Sequence, residues 1–217
     1  MSSNCSGRVG TIVDTVRDLF NESVGGFISD EFILRSLNRC REDLAKDDYW
    51  RRETWITATS GASQAELLAS IPDCQHVHQV RFSGQREPMV PLPSFSEFNS
   101  LRTADTTKGT PEYYVAQNGT LHVWPAPSST VSSGYGVYHS YLPPELSCAS
   151  GSNNPPVPPA HDMVFVYFTL MQAFLRDRHA PGADSKFAEY SRLHELEKAK
   201  LLAAADPQGL AIRAYRS

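Results

Sequence analysis

The chain has 217 residues, 41% of them hydrophobic and 20% charged, with a formal net charge of -4. That balance places it among ordinary globular proteins and argues against one that grips the nucleic-acid backbone through a broad basic face. At this length folding buries roughly 70% of the unfolded chain's surface, enough for one sizeable core or two small ones without a metal or disulfide staple.

The first thirty residues carry Arg8, Asp14, Arg17, Asp18 and Glu22 at helical spacing and nothing like the apolar core of a secretory signal. Val9, Ile12, Val13, Val16, Leu19 and Phe20 form the stripe of an amphipathic helix, which Gly25 and Gly26 break. Ser29 is placed to cap a second helix, with Asp30 and Glu31 in its first turn and Ile33, Leu37, Cys40 and Leu44 as its buried face. The spacing predicts an antiparallel helix pair over residues 8–48.

From Glu53 the period changes to two. Residues 54–59 alternate as a strand closed by Ser60-Gly61, and further strands are expected at 66–71, 76–82 and 86–90, the last two joined at Ser83-Gly84. Pro91 and Pro93 should end that pairing, and Ser94 can cap a short helix carrying Phe95, Phe98 and Leu101. Residues 112–117 and 120–124 flank Asn118-Gly119, the dipeptide that suits a tight hairpin turn. A last strand over 134–142 ends at Pro143-Pro144, and a polar linker follows, too poor in apolar residues to pack. The region 53–158 holds twelve of the fifteen prolines but four of the twenty basic residues, against eight acidic ones.

The helical period then returns. Val164, Phe165, Phe168, Met171 and Leu175 make a wide apolar face, in a stretch shorter than the ~20 residues of a membrane span. Pro181-Gly182 turns the chain into a helix carrying Phe187, Tyr190, Leu193 and Leu201, with Leu196 off that stripe, where it suits a partner contact. After Asp206-Pro207 the chain leaves the helix as an extended tail containing Leu210, Ile212, Arg213, Tyr215 and Arg216.

Candidate chemistry is sparse. Cys74, His76 and His78 would share one face of a regular strand, and zinc accepts thiolate and imidazole together, with His122 or His139 as possible further ligands. The more ordinary reading is three side chains on a strand. No nucleophile elbow, phosphate loop or His-Glu-x-x-His helix occurs. Glu189, Glu195 and Glu197 alternate with Arg192, Lys198 and Lys200, the pattern of an ion-paired surface. The helix from Ser29 opens with carboxylates that would repel phosphate where a recognition helix must approach it. The cysteines at 5, 40, 74 and 148 form no CxxC pair and read as free thiols of a reducing bacterial cytoplasm.

The order of elements resembles the head-to-tail connector (adaptor, or head completion) proteins of tailed bacteriophages. The residues that carry the likeness are Leu68-Ala69-Ser70-Ile71-Pro72-Asp73 with Val77 and Val80, and Gly109-Thr110-Pro111-Glu112-Tyr113-Tyr114 through Asn118-Gly119. Leu121-His122-Val123-Trp124-Pro125-Ala126-Pro127, Tyr138-His139-Ser140-Tyr141 and Pro158-Pro159-Ala160-His161-Asp162 continue it.

The resemblance implies a structural virion protein of the neck, with no catalytic residue and no cofactor, assembled in the host cytoplasm. It implies a ring, commonly of twelve subunits, beneath the portal, with double-stranded DNA passing through without being held, tail or neck proteins attached below, and no membrane. On it, Leu210, Ile212, Arg213, Tyr215 and Arg216 are portal contacts, and Tyr190, Leu196 and Leu201 are subunit contacts. A stopper or other neck protein, or a metal-dependent enzyme built on Cys74, His76 and His78, stands as the alternative.

The expected fold is α+β: an antiparallel bundle of four main helices, interrupted by a proline-punctuated antiparallel β insert and ending in an extended C-terminal tail. Residues 1–52 and 159–204 would be the two halves of the helical scaffold, 53–146 the insert, 147–158 a flexible linker and 205–217 the tail.

Overall fold

Where the apolar period changes from helical to alternating, near Trp50, the chain passes from one core to another. The computed structural model describes residues 5–24, 28–104, 107–148, 154–177 and 182–205. The chain divides into two units, Met1–Tyr49 with Pro143–Ser217, and Trp50–Leu142. In chain order the described elements begin α1 (Gly7–Val24), α2 (Asp30–Lys46), β1 (Arg51–Ala58), β2 (Gln64–Glu66), α3 (Leu67–Ser70), β3 (Cys74–Phe82) and β4 (Val90–Pro91). They continue α4 (Phe95–Ala104), β5 (Lys108–Gly109), β6 (Tyr113–Gln117), β7 (Thr120–Trp124), β8 (Ala126–Pro127), β9 (Val131–Tyr141), a 3-10 turn at Pro159–His161, α5 (Met163–Arg176) and α6 (Ala183–Ala205).

The helical unit is organised around α5. Val164, Phe165, Val166, Phe168, Leu170, Ala173 and Phe174 are all buried, and a helix apolar on nearly every side must be covered on nearly every side. α6, α2 and α1 do this, so α1 and α2 pack more on α5 than on each other. Val9, Ile12, Val13, Val16 and Phe20 from α1 and Ile33, Leu37, Cys40 and Leu44 from α2 supply the facing side chains. Phe20 meets Phe174 at 5.4 Å between ring centres, and Phe174 stacks on Tyr190 at 5.6 Å. Ser29 caps α2 by accepting a hydrogen bond from the Phe32 amide at 3.3 Å.

The β unit holds three sheets. β1-β9-β3 is antiparallel with β9 in the middle; β2-β7-β6-β4 forms a second sheet and β5-β8 a small third. Ile56, Ala58, Val80, Tyr135 and Val137 of the first sheet share one core with Tyr114, Leu121 and Val123 of the second, closed by Leu67, Ile71 and Met89. The hairpin β6-β7 turns at Asn118 (φ 50°) and Gly119 (φ 76°), the positive angles that such a turn needs.

The expected bundle of four helices with an antiparallel β insert is not the architecture found. Six α-helices and three sheets are described, and β4-β6 and β5-β8 pair in parallel. The segment expected as a strand at 66–71 is mostly α3. Leu67, Leu68 and Ala69 favour helix, and the Gly119 carbonyl accepts from the amides of Leu67 and Leu68, satisfying the first turn. Pro91 does not end pairing but lies in β4 at a sheet edge, where its missing donor costs no ladder bond; the amides of Val90 and Leu92 bond Glu112 and Tyr114 on either side. The segment 86–90 therefore serves two sheets: the Met89 amide still donates to the Val80 carbonyl of β3 at 2.8 Å, while Val90 pairs with β6.

Three further differences concern the ends. Cys5 and Cys148 are disulfide-bonded, and Cys40 and Cys74 are the free cysteines. The expected linker is packed at its far end, since Pro155 and Val157 are buried. With the β unit at Trp50–Leu142, it carries six basic and seven acidic residues, so the acidic excess is not concentrated there. Gly25, Gly26, Pro181, residues 149–153 and the tail from Asp206 lie outside the described residues.

Candidate functional site

Strand geometry decides which side chains reach solvent. In β1 and β9, Ile56, Ala58, Tyr135 and Val137 turn inward, so Glu53, Trp55, Thr57, Gly136 and Tyr138 form the opposite face. Register places Trp55 across from Gly136 and Glu53 across from Tyr138. A Cβ on Gly136 would lie 2.9 Å from two atoms of the Trp55 ring and from the Glu53 carboxylate, so only glycine lets the indole lie over the sheet.

Trp55 is 43% and Tyr138 36% exposed, an unusual amount of aromatic surface for neighbouring positions on one sheet. His78 lies 5.9 Å from Tyr138 and His76 5.0 Å from His78, ring to ring. Arg81 donates to Glu53 at 2.5 Å. Nearby, Arg52 binds both Asp73 carboxylate oxygens at 2.7 and 2.8 Å and lies 4.4 Å over the Tyr141 ring. An aromatic centre bordered by paired charges has the composition of a protein contact surface. Beside it, Trp55, Thr57 and Thr59 line an open groove of about 450 Å³ with Gln64, Glu66 and Ser70.

The metal triad does not form. The register shifts between Cys74 and His76, and again between Val77 and Gln79, so the alternation that would align the three is broken. Cys74 packs against the core, and burial, with Asp73 beside it, raises its thiol pKa against the opposing pull of Arg52. His122 packs against the stacked rings of Phe95 and Phe98, at 4.8 and 5.4 Å. His139 is buried between the Ser140 carbonyl, 3.1 Å from its Nδ1, and the Thr54 hydroxyl, 3.0 Å from its Nε2. Among the described residues no group of three His, Cys, Asp or Glu is placed to hold a metal ion.

Of the three expected subunit contacts, Leu196 alone stands in solvent, 52% exposed. Tyr190 is buried against Phe174 and Tyr167, and Leu201 is fully buried. Lys198, expected on an ion-paired surface, reaches α2 instead and bonds Asp43 at 2.7 Å and Asp47 at 2.6 Å. Burial would lower its pKa, but those hydrogen bonds and charges outweigh it and hold the ammonium above its ordinary value. The five expected portal contacts, Leu210 to Arg216, lie outside the described residues.

A family model described as SU10 adaptor protein matches residues 8–211. The chain belongs to that family. The match spans both units, and it makes this adaptor a structural protein of the phage head-to-tail connection, in the virion neck, whose partners are other head and tail proteins. No curated protein matches the chain. None of the described helices of the adaptor is long and apolar enough to cross a membrane.

The exposed Trp55–Tyr138 face was not singled out by sequence reasoning. The signal available was Trp55 lying opposite the inward set of its own strand, combined with a glycine in β9.

Proposed function

We infer that copies of this adaptor form a closed ring, of twelve subunits, beneath the portal, with DNA running through its centre and tail or neck proteins attached below. The family match over residues 8–211 is the observation that carries this reading. A closed ring repeats one heterologous interface, so each subunit needs two different complementary faces. The Leu196 side of α6 and the Trp55–Tyr138 face of the β unit are two such surfaces, one on each unit. Tyr190 and Leu201 support the first from within, by holding α6 on α5.

The tail supplies the portal contact, with Leu210, Ile212 and Tyr215 as apolar anchors and Arg213 and Arg216 as charge contacts. DNA passes unheld because neither unit has a basic surplus; the helical unit carries fourteen basic and seventeen acidic residues. Several uncompensated Lys or Arg contacts per subunit would instead bind phosphate through counterion release and slow its passage.

Electron microscopy of the purified adaptor mixed with its portal tests the reading. Rings on the portal are expected, with Leu196→Glu leaving the monomer folded and blocking the ring. Monomer alone, even with portal present, overturns the ring. Infectious particles with attached tails from a chain lacking residues 206–217 overturn the docking role of the tail.

A further inference from the structure

We propose that Cys5 and Cys148 are a late-closing covalent clasp, formed when the assembled protein leaves the reducing host cytoplasm, that locks the two separated chain segments of the helical unit together. The timing rests on the neck role above; the pairing rests on the disulfide that joins the two residues.

The two residues are 143 apart in sequence and 4.1 Å apart between Cα atoms. Other contacts anchor the chain near each cysteine independently of the sulfurs. Arg41 donates to the Pro143 carbonyl at 2.6 Å. The Asn38 amide donates to the Leu146 carbonyl at 3.0 Å and accepts from the Leu146 amide at 2.8 Å, which lays the segment before Cys148 along α2. On the other side, Arg8, three residues after Cys5, donates to both carboxylate oxygens of Asp162 and to the Pro155 carbonyl at 3.2 Å. With the chain anchored near each of them, the two cysteines are neighbours in the folded unit, and proximity is what rapid closure requires.

Cys148 is the accessible member of the pair, partly exposed as Cys74 is, whereas Cys5 and Cys40 are buried. Burial raises the thiol pKa of both free cysteines, leaving them little thiolate. The oxidant is a small-molecule disulfide such as oxidised glutathione. The Cys148 thiolate attacks one of its sulfurs, forming a mixed disulfide and releasing one glutathione thiolate. The Cys5 thiolate then attacks the Cys148 sulfur, closes the protein disulfide and releases the second. Two protein thiols lose two electrons, one small disulfide gains them, and the two thiol protons end on the released glutathiones.

The test uses the full chain, treated with oxidised or with reduced glutathione, then denatured and alkylated. Four reactive thiols are expected after reduction and two after oxidation, with the Cys5 and Cys148 peptides joined. The melting temperature should rise by about 5–10 °C on oxidation of the natural protein and not in Cys148→Ser. Comparing the natural protein in the two states needs no variant to fold. Four reactive thiols after oxidation, or two without a melting shift, overturn the clasp.

In purified particles that contain the protein, reductant should speed heat inactivation several-fold, and should have no effect on Cys148→Ser particles. Equal inactivation with and without reductant overturns the virion role of the clasp. Absence of the protein from particles would overturn the neck reading instead, with the thiol result unchanged.

Discussion

The two units solve the same problem in opposite ways. The β unit is one continuous run of chain, and its strands find one another through register: β9 binds β1 on one side and β3 on the other, and the hairpin β6-β7 closes over two residues. The helical unit joins segments separated by the whole β unit, so nothing local holds its halves in place. It relies on α5 as a shared core and on long-range polar ties: Arg8 to Asp162, Asn38 to Leu146, Arg41 to Pro143 and Lys198 to Asp43 and Asp47. A unit tied this firmly from within suits a scaffold. A unit whose strands already satisfy one another can leave a Trp and a Tyr on its surface.

The sharpest challenge to that contrast is Phe174→Ala. Phe174 is 2% exposed and touches rings from both segments of the helical unit, Phe20 and Tyr190. Its removal is expected to cost about 3–5 kcal/mol, read as loss of helical circular dichroism at lower urea concentration. A cost below about 1 kcal/mol would mean that α5 is not the common core.

Two glycines of β9 make the corresponding test of the β unit. At Gly134 a methyl would meet the Ala58 Cβ at 2.3 Å, with the Ala58 amide nitrogen and the Val131 carbonyl both at 3.0 Å. Those are backbone or core atoms, so Gly134→Ala is expected to cost about 3 kcal/mol. At Gly136 the obstacles are the ends of the Trp55 and Glu53 side chains, which can swing away into solvent. Gly136→Ala should cost about 1 kcal/mol while changing the Trp55 fluorescence and weakening any partner bound on that face. Equal costs at the two positions would show that the Trp55 ring is packed as tightly as the core, and would remove it as an adaptable contact.

Much of this was legible in the sequence for a physical reason: stripes such as Val9-Ile12-Val13-Val16 and turn pairs such as Asn118-Gly119 are local signals, and α1, α2, α5, α6 and the β6-β7 hairpin follow from them. What failed depended on distant partners. Whether 66–71 is strand or helix turned on the Gly119 carbonyl, which is distant in the chain. The fate of Pro91 turned on its strand lying at an edge, which only the sheet order determines. The Cys74–His76–His78 face assumed an unbroken strand, and two bulges in β3 are invisible to periodicity. The meeting of Cys5 and Cys148 depends on the fold of everything between them.

The ties of the helical unit are testable one at a time. Lys198 is mostly buried, its side chain 14% exposed, between two carboxylates. Lys198→Met keeps the stem that packs along α6 but leaves Asp43 and Asp47 facing each other without a cation. A loss of about 1 kcal/mol is expected, partly restored by adding Asp43→Asn. No loss in the single variant would shift the burden of holding α6 to apolar packing alone.

The smallest effect at neutral pH, and the one that separates the units by chemistry, comes from three buried histidines. Burial lowers the pKa of His122 and His139 in the β unit and of His194 in the helical unit below the ordinary value of 6.5. A base whose folded pKa is depressed takes up more protons when unfolded. Its contribution is therefore intact above about pH 6.5 and is lost as pH falls through the folded value. Melting temperature should be level from pH 8 to about 7 and decline in weak acid.

His139 has a partner on each ring nitrogen: Nδ1–H donates to the Ser140 carbonyl, so Nε2 accepts from the Thr54 hydroxyl. His194 donates from Nδ1 to the Val164 carbonyl at 3.1 Å, and its ring packs on Phe168. Protonating His139 requires the Thr54 hydroxyl to reverse, whereas protonating His194 places a charge beside an aromatic ring in the α5–α6 contact. His194→Gln should therefore flatten the acid decline of the helical signal, and His139→Gln that of the β unit, each without altering the other. If one variant flattened both, the two units would share a single unfolding transition, and the independence implied by their separate cores would be lost.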